Sequence, residues 1–305
     1  MGNIIINGKD YKLISHYKHD KVLRGSFNAL TQKVYDFDFE KWYTSGYWAD
    51  NCILYSLLDN VKVISHITVT VIDFIVLGKK KRFVQLGTVM TDKGYRNQGL
   101  SRILMEKVLD DWENKCDMIY LYANDSVLDF YPKFGFVPVD EYQAIKAPSK
   151  TKMKKDYSVR NMDMHHAGDR ALLYETAKNN MPLFKISMCD NAGLIMFYSN
   201  YFDLFSLKDN IFYIEDLNAI AIAEYEENDL IVYDILATQK VNIDDVIDAL
   251  TSKKTKEVIL GSMPINSNSY EISLFKEENA TLFVKGDESK LFNKNKLCFP
   301  MLSHT

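Results

Sequence analysis

A strand, a glycine-containing loop and the start of a helix follow one another between Gln85 and Met105, and this junction constrains the fold more than any other part of the sequence. The first backbone N–H groups of a helix have no partner within the helix, and the helix dipole places positive potential there. Such a junction binds phosphate groups without a side-chain charge, and Gly99 lets a pyrophosphate approach the backbone closely. The sequence therefore predicts an anion site at Gly99.

The loop at residues 96–101, Arg-Asn-Gln-Gly-Leu-Ser, resembles the acyl-CoA-binding motif Arg/Gln-x-x-Gly-x-Gly/Ala of the GNAT superfamily of N-acyltransferases. Ser101 departs from the last motif position, but serine is small enough to allow close approach of the backbone. Two other phosphate motifs are excluded. A nucleotide P-loop needs Gly-Lys-Ser/Thr directly before its helix, and a dinucleotide fingerprint needs three glycines at the spacing Gly-x-Gly-x-x-Gly. The loop contains neither pattern.

A second block of the sequence agrees with this resemblance. The β-rich run at residues 120–125 is followed by residues 127–136, Val-Leu-Asp-Phe-Tyr-Pro-Lys-Phe-Gly-Phe. Enzymes of the superfamily have the same order of a strand that ends near an Asn, a helix that presents a Tyr, and a Gly-Phe pair that leads into another strand. The matching positions here are Asn124, Tyr131, Gly135 and Phe136.

The resemblance implies an α+β (mixed α/β) GNAT fold, in which helices flank a central, mostly antiparallel, splayed sheet. Patterns of apolar and β-branched residues in the first half agree with that order. They predict strands at 11–14, 52–58, 61–74, 83–91 and 118–123, and helices at 20–35, 37–47 and 99–114. We expect the two helices before residue 50 to border the acceptor site.

The chain is long for one domain, because it has 305 residues, of which 47% are hydrophobic. The lysine-dense segment at residues 146–157 contains one proline and is typical of an exposed connector. We therefore place a catalytic GNAT N-acetyltransferase domain at residues 1–150 and a second domain at residues 151–305. The elements expected in the second domain are helices at 166–179, 192–198 and 243–250, and strands at 211–217, 219–225, 230–236 and 257–260.

The second half repeats the first in outline, but its residues 237–242, at the place of the phosphate loop, contain no glycine. We therefore predict a degenerate GNAT-like domain that is structural or shapes the acceptor site. A tandem second half of this kind makes the chain resemble the two-domain, enhanced-intracellular-survival type of acetyltransferase.

In the GNAT fold the thioester lies where the fourth and fifth strands diverge, so the resemblance implies acetyl-CoA as the acyl donor. It places the pantetheine arm beside the main chain of residues 89–91 and the pyrophosphate at the loop. Asn124 either hydrogen-bonds the arm or a water, or serves only to form the turn at the end of the strand. The implied cofactor-binding residues are Val89, Met90, Thr91, Arg96, Asn97, Gln98, Gly99, Leu100, Ser101 and Asn124. The basic run 78–82 is either a solvated turn or a contact for the 3′-phosphate.

Acyl transfer to an amine requires a neutral amine and a proton donor or positive potential near the departing thiolate. Tyr131 matches the family tyrosine whose hydroxyl reaches the sulfur, and it is our candidate acid; the alternative is aromatic packing. Several GNAT enzymes have a Glu where this chain has Gln85, and an amide cannot accept a proton at neutral pH. The candidate bases are therefore His66, which titrates in a useful range, and the C-terminal carboxylate of Thr305, which the resemblance implies. A structural histidine and a frayed terminus are the alternatives.

Composition excludes several classes of function. The net charge of -4 and the pI near 5.9 argue against a nucleic-acid groove. The four cysteines are isolated and no histidines cluster at zinc spacing, so we expect neither a metal site nor disulfides. Since no apolar run approaches bilayer length and no secretion signal is evident, we expect a cytoplasmic protein without a membrane partner. The sequence leaves homo-oligomer formation open.

The function predicted from these residues is an acetyl-CoA-dependent N-acetyltransferase that acetylates a primary amine by its direct attack on the thioester. The acceptor is a small molecule or a peptide, and aminoglycosides, polyamines, peptide N-termini and lysines all remain open. The alternative is an inactive CoA-binding sensor or a protein-interaction scaffold. Gln85 favours the sensor, whereas Gly99 and Tyr131 favour the enzyme; the scaffold is favoured by the aromatic residues Trp42, Tyr43, Tyr47 and Trp48.

Overall fold

The β-branched runs of the first half build a sheet around one long central strand. In the computed structural model, which describes residues 2–148, 156–201, 207–286 and 289–304, nine strands belong to this first sheet. They are β1 (Gly2–Ile6), β2 (Lys9–Ser15), β3 (Cys52–Asp59), β4 (Lys62–Val76), β5 (Lys79–Thr91), β6 (Met118–Ala123), β7 (Val137–Pro138), β10 (Ile186–Cys189) and β16 (Thr281–Lys285). Their order is β1-β2-β3-β4-β5-β6-β16-β7, and β10 pairs with the end of β4.

A second sheet of seven strands comes from the remaining β-rich segments of the described residues. These strands are β8 (Glu141–Lys146), β9 (Val159–Asn161), β11 (Ile211–Ile214), β12 (Ala219–Glu226), β13 (Asp229–Ala237), β14 (Glu257–Leu260) and β15 (Glu271–Phe275). Their order is β15-β8-β14-β13-β12-β11-β9, and β13 and β14 run parallel to each other.

Helices pack on both sheets, and their apolar faces fill the cores. They are α1 (Lys21–Tyr35), α2 (Glu40–Thr44), α3 (Leu100–Trp112), α4 (Ala167–Lys178), α5 (Ala192–Met196), α6 (Ile243–Leu250) and α7 (Lys290–Asn295), and a π-helical turn, Phe197–Tyr201, continues α5. The helix α1 starts where Asp20 accepts hydrogen bonds from the N–H groups of Val22 and Leu23. No helix in the described ranges is both long and apolar enough to cross a membrane.

The two sheets share one structural unit, in which a strand leads through a helix into a parallel strand. In the first sheet this unit is β5–α3–β6, and in the second sheet it is β13–α6–β14. The predicted α+β class and the tandem arrangement are confirmed. The predicted second helix is shorter than expected, because helical geometry is confined to Glu40–Thr44 and the aromatic residues before it pack as an irregular segment.

The chain passes between the two sheets more than once. The strand β8 precedes residue 150 but lies in the second sheet, whereas β10 and β16 follow residue 150 and lie in the first. The predicted division into residues 1–150 and 151–305 stays a prediction, and the sheets interleave across it. Residues 149–155 of the predicted connector lie outside the described residues.

A close backbone contact joins α5 to the segment after α2. The indole Nε1 of Trp42 donates a 2.9 Å hydrogen bond to the carbonyl of Gly193, and the Trp42 ring stacks on Trp48 with centroids 5.3 Å apart. A Cβ atom at position 193 would lie 2.2 Å from the carbonyl oxygen of Tyr47. The approach of these two backbones therefore requires glycine.

Substituting Gly193→Ala should lower the free energy of unfolding by about 2–3 kcal/mol, because the added methyl group forces two backbone segments apart. Urea unfolding monitored by tryptophan fluorescence measures this change. Gly25→Ala is the matched control: Gly25 lies on α1 with no atom within 4 Å of a built Cβ, so alanine should raise stability by about 0.5–1 kcal/mol. A Gly193→Ala protein as stable as the wild type would contradict the close-contact account.

Candidate active site

A cavity opens where β5 and β6 stop pairing. These two strands are paired in parallel only from Phe83, Val84 and Gln85 to Met118, Ile119 and Tyr120. Both continue beyond these residues, and a cavity of about 820 Å³ lies in the resulting gap. The sheet therefore provides a cleft flanked by backbone, which is the splayed geometry that the resemblance implied.

A β-bulge shapes the β5 side of the cavity. The register between β4 and β5 shifts between His66 and Thr68, and Thr88 has a positive φ of 42°. The Thr88 Oγ1 lies 2.5 Å from the Oγ1 of Thr68, which holds the bulged residue in place. Gly87, Thr88 and Val89 line the cavity. Because a bulge leaves backbone groups outside the ladder, this segment can present them to a ligand.

The loop after β5 ends in an uncapped helix N-terminus. Gly99 is the N-cap residue of α3 with a φ of 80°, no side chain caps the helix there, and its first turn carries no acidic residue. Gly99, Leu100, Ser101 and Arg102 line the cavity, and so does Arg96. Backbone N–H groups, the helix dipole and the Arg96 side chain thus lie at one end of the cavity, which suits an anion, whereas Arg102 is paired with Glu106 at 2.8 Å.

The carboxylate nearest to this loop is already paired. Asp92 accepts hydrogen bonds from the Gly94 N–H at 3.0 Å and from Lys33 at 3.2 Å, and it forms a 2.9 Å ion pair with Lys62. The hydrogen bond from Lys62 is the main cause that lowers the pKa of Asp92 to about 2. Its negative charge is therefore balanced by two lysines.

The corresponding helix of the second sheet has no vacant N-terminus. At the start of α6, the Asn242 side chain accepts a 3.0 Å hydrogen bond from the Asp244 N–H. Asp244 and Asp245 occupy the first turn. Two carboxylates and a side-chain cap oppose an anion at this position.

All of the predicted cofactor-binding residues except Gln98 line the cavity. They are Val89, Met90, Thr91, Arg96, Asn97, Gly99, Leu100, Ser101 and Asn124. Gln98 is instead oriented toward the first hairpin, where its Oε1 accepts a 3.2 Å hydrogen bond from the Tyr11 hydroxyl. The hydroxyl of Ser101 lies 2.6 Å from that of Thr91, so the residue that departs from the motif ties the helix start to the end of β5. The binding roles themselves stay predictions.

Tyr131 lies on the opposite side of the cleft, in a short 3₁₀ helix (Tyr131–Phe134), and lines the cavity. Burial raises the pKa of its hydroxyl, so Tyr131 stays protonated at neutral pH. Tyr35 also lines the cavity, and its hydroxyl donates a 3.0 Å hydrogen bond to the Val89 carbonyl. Tyr131 is thus placed as a hydrogen-bond donor within the cleft.

Of the two candidate bases, His66 lies within the described residues. His66 is fully buried and is not among the lining residues. Its Nδ1 lies 2.8 Å from the Ser56 hydroxyl, and its Nε2 lies 2.8 Å from the Thr68 hydroxyl. It can therefore act on a substrate only through Thr68 and Thr88. Thr305 lies outside the described residues, but the preceding His304 lines the cavity.

Several cavity residues lie far from the motifs and were not predicted. Leu194, Phe197, Tyr198 and His304 come from the second half of the chain, and Tyr122 comes from β6. Tyr122 is two residues before Asn124, so strand alternation could have identified it. The residues of the second half carry no sequence signal that relates them to the loop at Gly99.

A buried carboxyl group lies behind Tyr122. Glu141 accepts hydrogen bonds from the Tyr122 hydroxyl at 3.1 Å and from the Phe299 N–H at 2.8 Å. Burial raises the pKa of Glu141 to about 7. The His304 ring packs on Tyr122 with centroids 3.9 Å apart, so this pair fixes the inner end of the cavity.

The basic run at residues 78–82 is held by carboxylates outside the cavity. Lys80 and Arg82 pair with Asp73, at 3.0 Å and 2.8 Å, and Lys81 pairs with Asp117 at 3.0 Å. These contacts agree with a solvated turn. Within the described ranges, no group of three or more His, Cys, Asp or Glu residues is arranged to hold a metal ion. Gln85 is buried, and its Oε1 accepts a 3.3 Å hydrogen bond from the Tyr120 hydroxyl.

Stability should depend on pH through His66, because burial lowers its pKa to about 3. The native imidazole stays neutral, whereas the unfolded one takes up a proton below about pH 6.5. The contribution of the neutral, buried His66 to the free energy of unfolding is complete above about pH 6.5 and is lost as the pH falls toward 3. From about pH 7.5 to about pH 5, the wild type should lose about 2 kcal/mol more than His66→Gln in chemical denaturation. Equal losses would show that His66 is protonated in the folded protein.

Known proteins match both the sequence and the fold. Residues 21–136 match the model of the Acetyltransferase (GNAT) family, and no curated protein matches the sequence. A probable N-acyltransferase from Enterococcus faecalis V583 has a TM-score of 0.57 and 11% identity, with 90% of this chain and 72% of that chain covered. Eis1 from Mycobacterium abscessus has a TM-score of 0.54 and 11% identity, with 89% and 72% covered. The structural likeness concerns the fold and extends over both sheets. The sequence thus matches the Acetyltransferase (GNAT) family over residues 21–136, and the chain shares the fold of these two structures.

Proposed function

We propose that the protein is an acetyl-CoA-dependent N-acetyltransferase that transfers an acetyl group to a primary amine by direct attack on the thioester. One observation carries this proposal: a single cavity joins the uncapped start of α3, the diverging strands β5 and β6, and the hydroxyl of Tyr131. These are the parts needed to hold a phosphorylated acyl donor and to assist its leaving group.

The residues present fit this donor. The first N–H groups of α3, with Arg96, supply positive potential for a pyrophosphate. A built Cβ at Gly99 meets no atom within 4 Å, so the space beside the backbone is open. The main chain of β5 beyond Gln85 has no β6 partner and can bond an extended arm. When bound, acetyl-CoA supplies an activated acyl group.

The chain's own groups can assist the transfer in two ways. Tyr131, kept protonated by burial, donates a hydrogen bond to the departing sulfur. The bulge at Thr88 presents backbone groups on the opposite strand. The proton of the amine leaves to the Thr305 carboxylate; His66 is linked to the cavity through Thr68 and Thr88, but burial lowers its pKa to about 3 and makes it a poor proton acceptor.

The sensor alternative has one observation in its favour. Gln85, at the position of the expected Glu, is buried and bonded to Tyr120, so it contributes structure rather than a base. The scaffold alternative is disfavoured, because Trp42 and Trp48 are only 4% and 5% exposed and pack in the core. The sensor alternative predicts a protein that binds CoA but does not acetylate any acceptor.

We also propose a cytoplasmic location. All four cysteines are free thiols, and Cys52 and Cys298 are buried. Free thiols are typical of a reducing compartment.

Acetyl-CoA should bind through the loop at Gly99, and isothermal titration calorimetry of the purified protein tests this. Gly99→Trp fills the open space beside the backbone and should weaken binding at least about tenfold, because the pyrophosphate loses its approach to the N–H groups. Gly46→Trp is the matched control, since Gly46 has a similar φ of 81° and open surroundings but does not line the cavity. Absence of binding by the folded wild type would overturn the proposed function.

Tyr131→Phe should lower kcat about 100-fold, because the leaving sulfur loses its proton donor, while the dissociation constant of acetyl-CoA changes little. Steady-state acetylation and calorimetry measure the two quantities. Tyr95→Phe removes the same atom from another cavity residue, whose hydroxyl donates to Asp59 at 2.7 Å, and should leave kcat within about threefold. A Tyr131→Phe protein with unchanged kcat would reduce Tyr131 to a packing residue.

A further inference from the structure

The acceptor side of the cavity is bounded by one continuous run of aromatic side chains. This aromatic wall consists of Tyr35, Phe37, Phe39, Trp42, Phe197 and Tyr198, all of which line the cavity. Neighbouring rings are in contact, with centroids 5.1 Å apart for Phe37 and Phe39, 5.5 Å for Phe39 and Phe197, and 5.0 Å for Trp42 and Phe197. The wall therefore joins the first half of the chain to the second.

The polar atoms of the aromatic wall are bonded to the protein's own backbone. The Tyr35 hydroxyl donates to the Val89 carbonyl, the Trp42 indole to the Gly193 carbonyl, and the Tyr198 hydroxyl to the His304 carbonyl. Because these groups are used in holding the wall together, it presents mainly ring faces and edges to the cavity. Leu194, Val34 and Cys52 add further apolar surface.

Among the described residues, none that lines the cavity is an aspartate or a glutamate. Two of the carboxylates near the wall are paired with cations of the protein, and Glu141, behind Tyr122, is buried and bonded to the Tyr122 hydroxyl and the Phe299 N–H. Glu40 accepts two hydrogen bonds from Arg24 and one from Asn28, and Asp92 is held by Lys33 and Lys62. The charged residues that line the cavity in the described ranges are Arg96 and Arg102, both at the loop.

From this lining we propose that the acceptor is an apolar monoamine, namely a primary amine on an aromatic or alkyl body without a second charged group. This inference rests on the proposed function and narrows it. A polyamine or aminoglycoside carries further ammonium groups, and each would lose its hydration against ring faces, whose cation–π attraction is smaller than the cost of burying a charge without a counter-charge. An aromatic body gains apolar contacts and ring packing instead.

An apolar site also assists the chemistry. Desolvation disfavours the charged form of an amine, so the aromatic wall favours the neutral amine that attacks the thioester. A single proton then has to leave, and no acidic side chain is required for binding. An apolar acceptor is therefore compatible with a site in which Gln85 has a structural role and is not replaced by a carboxylate.

Two probes with the same aromatic body test the inference, since the second adds one aminomethyl group and with it one charge. Benzylamine and 1,4-bis(aminomethyl)benzene share the aromatic body, and only the second carries another ammonium group. Calorimetry of the wild-type protein measures their binding directly, in the presence of CoA, and an acetylation assay compares their kcat/KM. We expect benzylamine to bind at least about tenfold more tightly and to be acetylated with a kcat/KM higher by a similar factor. Equal or tighter binding of the diamine overturns the inference, as does binding of neither probe.

A charge variant tests the cause. Val34 lies on α1 and lines the cavity at a partly exposed position. Val34→Glu should reduce the preference for benzylamine over the diamine about tenfold, whereas Val34→Gln, of the same size without the charge, should keep that preference. A preference unchanged in Val34→Glu would contradict the electrostatic argument. If the wild type does not bind acetyl-CoA, it is the proposed function that fails. The two failures are distinguishable because calorimetry measures amine binding separately from acetyl-CoA binding.

Discussion

The short pairing between β5 and β6 is the constraint on which the rest of the molecule depends. Three residue pairs hold the two strands together, and beyond Gln85 and Tyr120 each strand has backbone groups without the other as a partner. The bulge at Thr88 adds to this divergence from the β4 side. Since unpaired backbone is costly to bury without a hydrogen-bond partner, a gap of this kind persists where a ligand or solvent satisfies it. The helix α3 begins at the mouth of this gap, so strand divergence and anion site arise from one stretch of chain.

Charge is distributed in agreement with this arrangement. Two carboxylates near the cavity, Asp92 and Glu40, are neutralised by lysine or arginine partners, and Glu141 is buried behind Tyr122. Arg96 and Arg102 line the cavity near the start of α3, with Arg102 paired to Glu106, and another part of the lining is aromatic. One end of the cavity thus favours phosphate and the other favours apolar surface. The corresponding helix start in the second sheet carries Asp244 and Asp245, so the two halves share a fold and differ in electrostatics.

Local signals were sufficient for much of this structure. The bounds predicted for β6, α6 and β14 agree with those observed, because alternation and helical spacing are properties of short segments. The loop at Gly99 was likewise visible, since its glycine and the helix start are adjacent in sequence. Gln98 shows the limit of such reasoning, because its neighbour Asn97 has a φ of 62° and the side chain is oriented toward Tyr11. The contributions of Phe197 and His304 depend on packing between segments more than 100 residues apart, for example between Trp42 and Gly193, and local patterns do not encode it.

The interleaving of the two sheets determines when the protein can fold during synthesis. The strand β16 pairs with β6 and β7, so the first sheet is complete only after residue 285 has left the ribosome. Until then β6 has an exposed edge, and such edges promote association with other chains. Long sequence separation between paired strands also slows folding. The two sheets follow one another roughly along the sequence, but each needs strands from the other half of the chain. Neither half of the sequence therefore contains all the strands of its own sheet.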